Sequence, residues 1–209
     1  MPDLYKALGD ISSVRKQVAR STEFRGYGPL TLSATAGMAW IAAGAQALWV
    51  PDPATHIRGY LAVWISTAVA ATVLIGGQTI TRTRRMHSGL ADEMLHMAIE
   101  QFLPSVVAGL LITAVLYLYV PSSLWLLPGV WQVVFSLGVF SSCRFLPRRM
   151  MIAGAWYLMT GLICIGCGNA RALSPWAMGI SYGVGQLLVA GILFFNASDL
   201  PYAENADEN

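Results

Sequence analysis

The sequence predicts an all-α membrane protein with six transmembrane helices. Of its 209 residues, 56% are hydrophobic and only 11% are charged, whereas a soluble domain carries about 25% charged residues. The apolar residues form continuous runs of roughly 20, the length that crosses a bilayer core as a helix. Because the runs do not alternate with polar residues, helices are favoured over a barrel. The six runs are 29–50, 60–80, 102–120, 124–142, 150–168 and 176–196.

The basic residues predict the orientation of these helices. All but two of the 13 Lys and Arg residues lie in residues 1–28 or in the second and fourth connections between runs. Basic residues mark the cytoplasmic side of a membrane protein. The pattern therefore predicts a multi-pass cell (inner) membrane protein with both termini in the cytoplasm. It also accounts for the net charge of +2 without nucleic-acid binding.

The same pattern divides the chain into segments. Residues 1–28 are predicted to form a cytoplasmic amphipathic helix, because Leu and Val recur there at three- and four-residue steps. Residues 29–196 form the six-helix domain, and 86–101 are a second cytoplasmic amphipathic segment. Residues 197–209 are acidic and polar, and are predicted to be a disordered tail.

Short outer connections predict that the six helices form three consecutive hairpins. Each outer turn contains proline, and a tryptophan follows each one. Because indole rings favour the headgroup region, these tryptophans are expected to anchor the outer ends of the helices. They are Trp64, Trp131 and Trp176.

Glycines at helical spacing predict close helix packing, either within the chain or between two copies in a homodimer. Small residues let helices approach in lipid, where there is little hydrophobic drive for association. The glycine seams are Gly37 with Gly44, Gly154 with Gly161 and Gly168, and Gly179 with Gly183.

Three residues of the second amphipathic segment form a candidate metal site. Glu93 and His96 are three residues apart, and Glu100 follows one turn later. A carboxylate and an imidazole on adjacent turns can share one metal ion. The alternatives are an amphipathic interfacial helix with a solvated polar face, and a docking surface for a partner.

Cys164 and Cys167 form a C-x-x-C pair near the outer end of the fifth run. Such a pair is a candidate redox site in an oxidising compartment. Cys143 lies at the opposite end of the fourth run, roughly a membrane thickness away, so it cannot serve as a relay partner. Small residues in a glycine-rich helix are the alternative explanation.

Polar residues inside the runs are candidates for lining a cavity. They are Gln46, Gln132, Tyr182 and Gln186, and the alternative role of the glutamines is hydrogen bonding between helices. No Asp, Glu, Lys, Arg or His occupies the middle of a run. Because proton-coupled carriers usually bury such a group, this argues against proton-coupled transport but leaves a passive permease open. No catalytic residue and no cofactor are predicted.

Short motifs resemble those of a group of uncharacterised bacterial integral membrane proteins. The motifs are L-P-G-V-W at 127–131, P-W-A-M-G at 175–179 and Q-F-L-P at 101–104. The resemblance implies a bacterial inner-membrane location. Members of the group are encoded near winged-helix regulators, but the resemblance implies no activity and no catalytic residues.

Three functions are consistent with these observations. The first is a non-enzymatic membrane protein whose cytoplasmic face binds a protein partner or regulator. The second is a small-solute permease or ligand-binding membrane protein. The third is a metal-dependent membrane enzyme. The lipid bilayer is the partner that all three require.

Overall fold

The computed structural model describes residues 29–86, 89–143 and 148–198, and within these ranges the regular structure is helical. The predicted N-terminal helix, and the predicted tail from residue 199, lie outside the described residues. A 3₁₀ helix at Pro121–Leu126 leads into α4. The α-helices are α1 Pro29–Trp49, α2 Ile57–Met86, α3 Gly89–Tyr119, α4 Leu127–Ser142, α5 Met150–Cys167, α6 Asn169–Ala172 and α7 Pro175–Ser198.

Five of these helical segments are long and apolar enough to cross a membrane, which indicates a multi-pass membrane protein. Helix α1 has 21 residues but is not among the five, because Thr, Ser, Gly and Gln interrupt its apolar sequence. The five segments are Ile57–Gln78, Glu100–Tyr119, Pro121–Ser142, Met150–Cys167 and Pro175–Phe195.

Helices α2 and α3 are longer than a bilayer requires. They have 30 and 31 residues, and at 1.5 Å per residue each is about 45 Å long, against a hydrocarbon core of about 30 Å. The described part of the predicted amphipathic segment 86–101 continues from Gly89 into the apolar part of α3 as one helix. Pro104 lies inside α3, where it removes one backbone hydrogen bond.

The long helices pack in the order α2, α1, α7, α5, α4, α3. The most extensive interfaces are α1 with α7 and α4 with α5, whereas α2 and α3 barely touch. The sequence-adjacent pairs α1–α2, α3–α4 and α5–α7 are in contact, but the two largest interfaces join helices of different predicted hairpins. The helices therefore form an arc, with a gap between α2 and α3.

Glycines explain why the two largest interfaces are so close. A Cβ atom on Gly129 of α4 would lie 2.7 Å from the carbonyl oxygen of Gly161 on α5, and a Cβ on Gly179 of α7 would lie 2.6 Å from the Cβ of Ala43 on α1. These distances are shorter than two non-bonded atoms tolerate. Glycine is therefore required at both crossings, as expected for helices packed in lipid.

Only some glycines of the predicted seams lie at close contacts between helices. Gly154 packs against the Phe140 ring and Gly183 against the Trp40 ring. The prediction for Gly168 is wrong: it ends α5 with a φ of 65°, in the region that favours glycine, and a Cβ there would meet nothing. Gly37 and Gly44 also have nothing within 4 Å of a Cβ, so they contribute no close contact within the described chain.

The tightest core lies at one end of the bundle, where α1 joins α2 and α5 joins α7. Trp64 belongs to this core and is 4% exposed, so its predicted role as a boundary anchor is wrong. Trp176, by contrast, is 56% exposed. We call this end of the bundle the closed end. Its buried cluster is Ala42, Ala43, Tyr60, Leu61, Trp64, Leu124, Leu127, Leu173 and Met178.

Replacing Gly161 by alanine should destabilise the bundle. The new methyl group would lie 2.9 Å from the Gly129 carbonyl oxygen, so α4 and α5 would have to separate. We expect the free energy of unfolding in detergent to fall by about 1–3 kcal/mol, as for other overpacked sites.

Gly166→Ala is the matched control on the same helix, because nothing lies within 4 Å of its Cβ. It should leave stability unchanged or raise it slightly, since alanine favours helix. Equal effects of the two substitutions in a thermal unfolding assay would contradict the close α4–α5 crossing.

Candidate functional site

The side chain of Gln46 joins three parts of the closed end. Its Oε1 accepts a hydrogen bond from Trp64 Nε1 on α2 at 2.6 Å, and its Nε2 donates to the carbonyl oxygen of Leu173 at 2.8 Å. Gln46 has no exposed surface. It therefore ties α1 to α2 and to the α6–α7 connection, which is the hydrogen-bonding role that was the alternative to cavity lining.

Next to the closed end, an aromatic cluster crosses the interior of the bundle. The Phe135 ring of α4 lies 4.7 Å from the Tyr157 ring of α5 and 5.6 Å from the Tyr182 ring of α7, measured between centroids. It also meets Phe102 of α3 edge-on at 5.2 Å. Such tilted and edge-to-face pairs are the preferred arrangements of aromatic rings.

Tyr182 points into the interior of the bundle and is only half-buried. It packs against the closed-end cluster, and its ring meets Phe135 and Tyr157. Since α4 and α7 make little direct contact, the Tyr182–Phe135 pair spans the space between them. We call the region around the rings of Tyr182, Phe135 and Tyr157 the chamber. Gln186, one turn further along α7, is also half-buried on the same face.

Helices α2 and α3 make little contact with each other. Beyond Trp64, Ala68, Val69 and Ala70 of α2 are exposed in succession, as are 72–74. No residue of α3 between Glu100 and Tyr119 is fully buried. The bundle is therefore least densely packed along this side of α2 and α3.

Three buried polar atoms have no hydrogen-bond partner among the described residues, and each has almost no exposed surface. They are the hydroxyl oxygens of Tyr60 and Tyr157 and the Oε1 atom of Gln132. The Tyr182 hydroxyl and the Gln186 amide also form no hydrogen bond within the described ranges. An unsatisfied buried polar group costs about 1–3 kcal/mol, so such a group usually has a partner such as water or a ligand.

The contacts of Gln132 and Tyr157 explain why their unpaired atoms are buried. Gln132 donates through Nε2 to the carbonyl oxygen of Ala177 at 3.2 Å, and this leaves Oε1 as the free acceptor. Gly185 lies against the Tyr157 hydroxyl, and any larger residue there would displace the phenol. The unpaired atoms come from α2, α4 and α5.

The chamber can bind an uncharged molecule by hydrogen bonds and ring contacts. Tyrosine hydroxyls donate and accept, and the Gln132 oxygen accepts. No Asp, Glu, Lys, Arg or His lies in the middle of the described membrane-spanning segments. A molecule with an apolar or planar body and a few polar groups matches these walls.

The predicted site residues lie in separate places. Tyr182 and Gln186 share the chamber face of α7, whereas Gln46 is enclosed in the closed end. Cys164 is buried, with its Sγ donating to the carbonyl oxygen of Ala172 at 3.6 Å, whereas Cys167 is exposed. Neither forms a disulfide, and both border a surface groove between α5 and α7. Their proposed redox role stays a prediction.

The metal hypothesis also stays a prediction. Glu100 is exposed, while the side chains of Glu93 and His96 lie outside the described residues. Among the residues that the structure describes, no three His, Cys, Asp or Glu side chains come close enough to hold a metal ion.

Sequence reasoning missed two of the three residues with unpaired atoms, Tyr60 and Tyr157, but it identified the third, Gln132. Gln132 was visible as a polar residue in an apolar run. The two tyrosines gave no such signal, because tyrosine is common near membrane boundaries. Only the packing shows that their hydroxyls are buried.

Comparisons with protein-family models, with curated proteins and with solved structures gave no match to this chain.

The chamber predicts that a cysteine at position 182 reacts with a small thiol reagent. In a background of Cys143→Ser, Cys164→Ala and Cys167→Ser, we expect Tyr182→Cys to be labelled by N-ethylmaleimide in membranes. The reagent needs a hydrated thiolate, which the half-buried position of Tyr182 permits.

Two control positions define the background of this labelling experiment. Ser136→Cys lies in the packed interior, since Ser136 has no exposed surface, and Leu110→Cys lies on the outer face of α3, where Leu110 is 61% exposed. Both should react slowly. If Tyr182→Cys is as slow as these controls, the interior space is absent.

Proposed function

We propose that this protein is a non-enzymatic membrane protein that binds a small uncharged molecule in the chamber, as a passive permease or a ligand-binding membrane protein. The observation that carries the proposal is the set of three unpaired buried polar atoms beside the half-buried Tyr182. A ligand that hydrogen-bonds to these atoms would remove their desolvation penalty.

The chemistry of the chamber defines the class of ligand. Rings on α4, α5 and α7 provide flat apolar walls, which favour a planar or compact apolar body. The Gln132 oxygen requires a donor on the ligand, and the tyrosine hydroxyls can bind its oxygen atoms. A charged solute is disfavoured, because no opposite charge is available in the middle of the described spans.

The proposed topology has six spans, with α1 as the sixth, and both termini in the cytoplasm of a bacterial cell. Helix α1 is long enough to cross a bilayer, and its most extensive interface is with the apolar helix α7. One face of α1 is therefore covered by protein, which tolerates its Thr and Gln residues. The Lys and Arg distribution supports the orientation, with the closed end outside.

A cytoplasmic protein partner is the second candidate function, and the lengths of α2 and α3 favour it. At their shared end these helices continue beyond the length that a bilayer core requires. That end carries the second basic connection. A partner there would meet the end of the bundle that responds to the ligand.

Replacing Tyr157 by phenylalanine tests the ligand proposal, because the unfolding temperature should change in opposite directions with and without a bound ligand. If the chamber holds a ligand, the substitution should reduce the bound small molecule seen by native mass spectrometry after gentle extraction, and should lower the unfolding temperature. If the hydroxyl is merely unpaired, its removal should raise the unfolding temperature.

Tyr119→Phe is the matched control, because Tyr119 is 77% exposed at the end of α3. It should change neither readout. The ligand proposal would be contradicted if Tyr157→Phe raised the unfolding temperature and the wild-type protein carried no small molecule. A soluble protein in the same spectrum would favour the partner hypothesis instead.

The native cysteines test the orientation. Cys167 follows the outer end of α5 and is exposed, whereas Cys143 lies just after α4 at the opposite end. In intact cells, an impermeant maleimide should label Cys167 and not Cys143. Permeabilised cells should show labelling of Cys143 as well.

Burial raises the pKa of the Cys143 thiol above its ordinary value, so less thiolate is present at a given pH. Its labelling in permeabilised cells should therefore increase as the pH is raised towards alkaline values. Labelling of Cys143 and not Cys167 from outside would invert the proposed topology. Single Cys143→Ser and Cys167→Ser variants assign each signal.

A further inference from the structure

A groove of about 300 Å³ lies on the outer surface of the closed end, between α5 and α7. None of its lining residues belongs to the chamber. Cys164 and Cys167 form part of one wall. The other lining residues are Thr160, Ile163, Arg171, Ser174, Trp176, Ala177, Ile180 and Ser181.

The end of the groove nearest the α6–α7 connection carries three side chains with hydrogen-bond donors. The Arg171 guanidinium, the Ser174 hydroxyl and the Trp176 indole N–H make no hydrogen bond or ion pair within the described residues. No Asp or Glu lines the groove. This set of donors is complementary to an acceptor with negative charge, such as a phosphate group.

The remainder of the groove is apolar and continues along the membrane-spanning part of the helices. Ile163 is 58% exposed and Ile180 is 49% exposed. The hydroxyls of Thr160 and Ser181 donate to carbonyl oxygens of their own helices, so they present no free donor. This part of the groove is suited to a hydrocarbon chain.

We propose that the groove binds one glycerophospholipid of the surrounding leaflet. Its phosphate lies against Arg171, Ser174 and Trp176, and an acyl chain follows Ile163 and Ile180. The location supports this occupant, since the donors lie where α5 ends and α7 begins, the level at which lipid headgroups lie beside membrane-spanning helices.

The test is native mass spectrometry of the delipidated protein in an uncharged detergent, titrated with three probes. Dioleoylphosphatidylglycerol has both phosphate and chains, dioleoylglycerol lacks the phosphate, and glycerol 3-phosphate lacks the chains. We expect one phosphatidylglycerol to be retained per chain. Dioleoylglycerol should bind weakly, and glycerol 3-phosphate should not compete.

Two substitutions address the two halves of the groove. Arg171→Gln should weaken phosphatidylglycerol binding by about tenfold, because a charge-assisted hydrogen bond is lost. Ile180→Trp should weaken it by filling the apolar part. The controls are Arg58→Gln, at an exposed arginine of the closed end whose Nε donates to the Tyr117 hydroxyl at 3.0 Å, and Ile152→Trp, on an exposed face of α5 outside the groove.

The results distinguish the possible occupants. Equal retention of phosphatidylglycerol by Arg171→Gln and the wild type would overturn the proposal, as would equal binding of dioleoylglycerol. Displacement by glycerol 3-phosphate would mean a site for soluble phosphate compounds and not for a lipid. Unfolding temperatures measured without lipid should match for wild type and Arg171→Gln, since this side chain has no partner to lose.

Discussion

The two hydrogen bonds of the Gln46 side chain hold the closed end of the bundle together. An unsatisfied amide is costly in a bilayer, because no water is available to replace a lost partner. Gln46 meets this constraint by using its oxygen on Trp64 and its nitrogen on Leu173. Since Leu173 lies just before α7, the same bonds position the helix that carries Tyr182 and the groove beside Arg171. Both proposed binding sites therefore depend on this contact.

Glycines that let two helix backbones approach closely determine which helices are neighbours. Gly129 with Gly161, and Gly179 with Ala43, bring α4 to α5 and α1 to α7. A Cβ on Gly76 or Gly77 of α2 would meet nothing within 4 Å, and the nearby residues 72–74 are exposed. In lipid, apolar side chains alone do not hold helices together. The small contact between α2 and α3 follows from this difference.

Gln46 and Gln132 show how the same residue type can serve structure in one place and binding in another. Both are fully buried, but Gln46 has partners at both ends of its amide, whereas the oxygen of Gln132 has none. Tyr60 and Tyr157 repeat the pattern of Gln132, and they come from different helices. A molecule bound at these three groups would satisfy atoms that packing alone leaves without partners.

The sequence by itself determined the membrane class and the location of the helices. A bilayer core has a nearly constant thickness, so the length and composition of an apolar run of about 20 residues are sufficient to identify a membrane-spanning helix. The described helices correspond to the predicted runs, although α1 is less apolar than the other five long helices. Tyr182 and Gln186 were also identifiable as neighbours, because residues four apart share a helix face.

Only the tertiary structure decided which helices pack together and which polar atoms lack partners. The sequence indicated that Trp64 is a boundary anchor, and it left Gln46 open between lining a cavity and hydrogen bonding between helices. Both residues are enclosed and bonded to each other. It also placed Gly168 in a packing seam, whereas that glycine ends a helix. Helical spacing shows which residues share a face but not what that face meets. The partner of each face depends on contacts between segments far apart in the chain, such as Gln46 with Leu173, and these exist only once the helices have assembled.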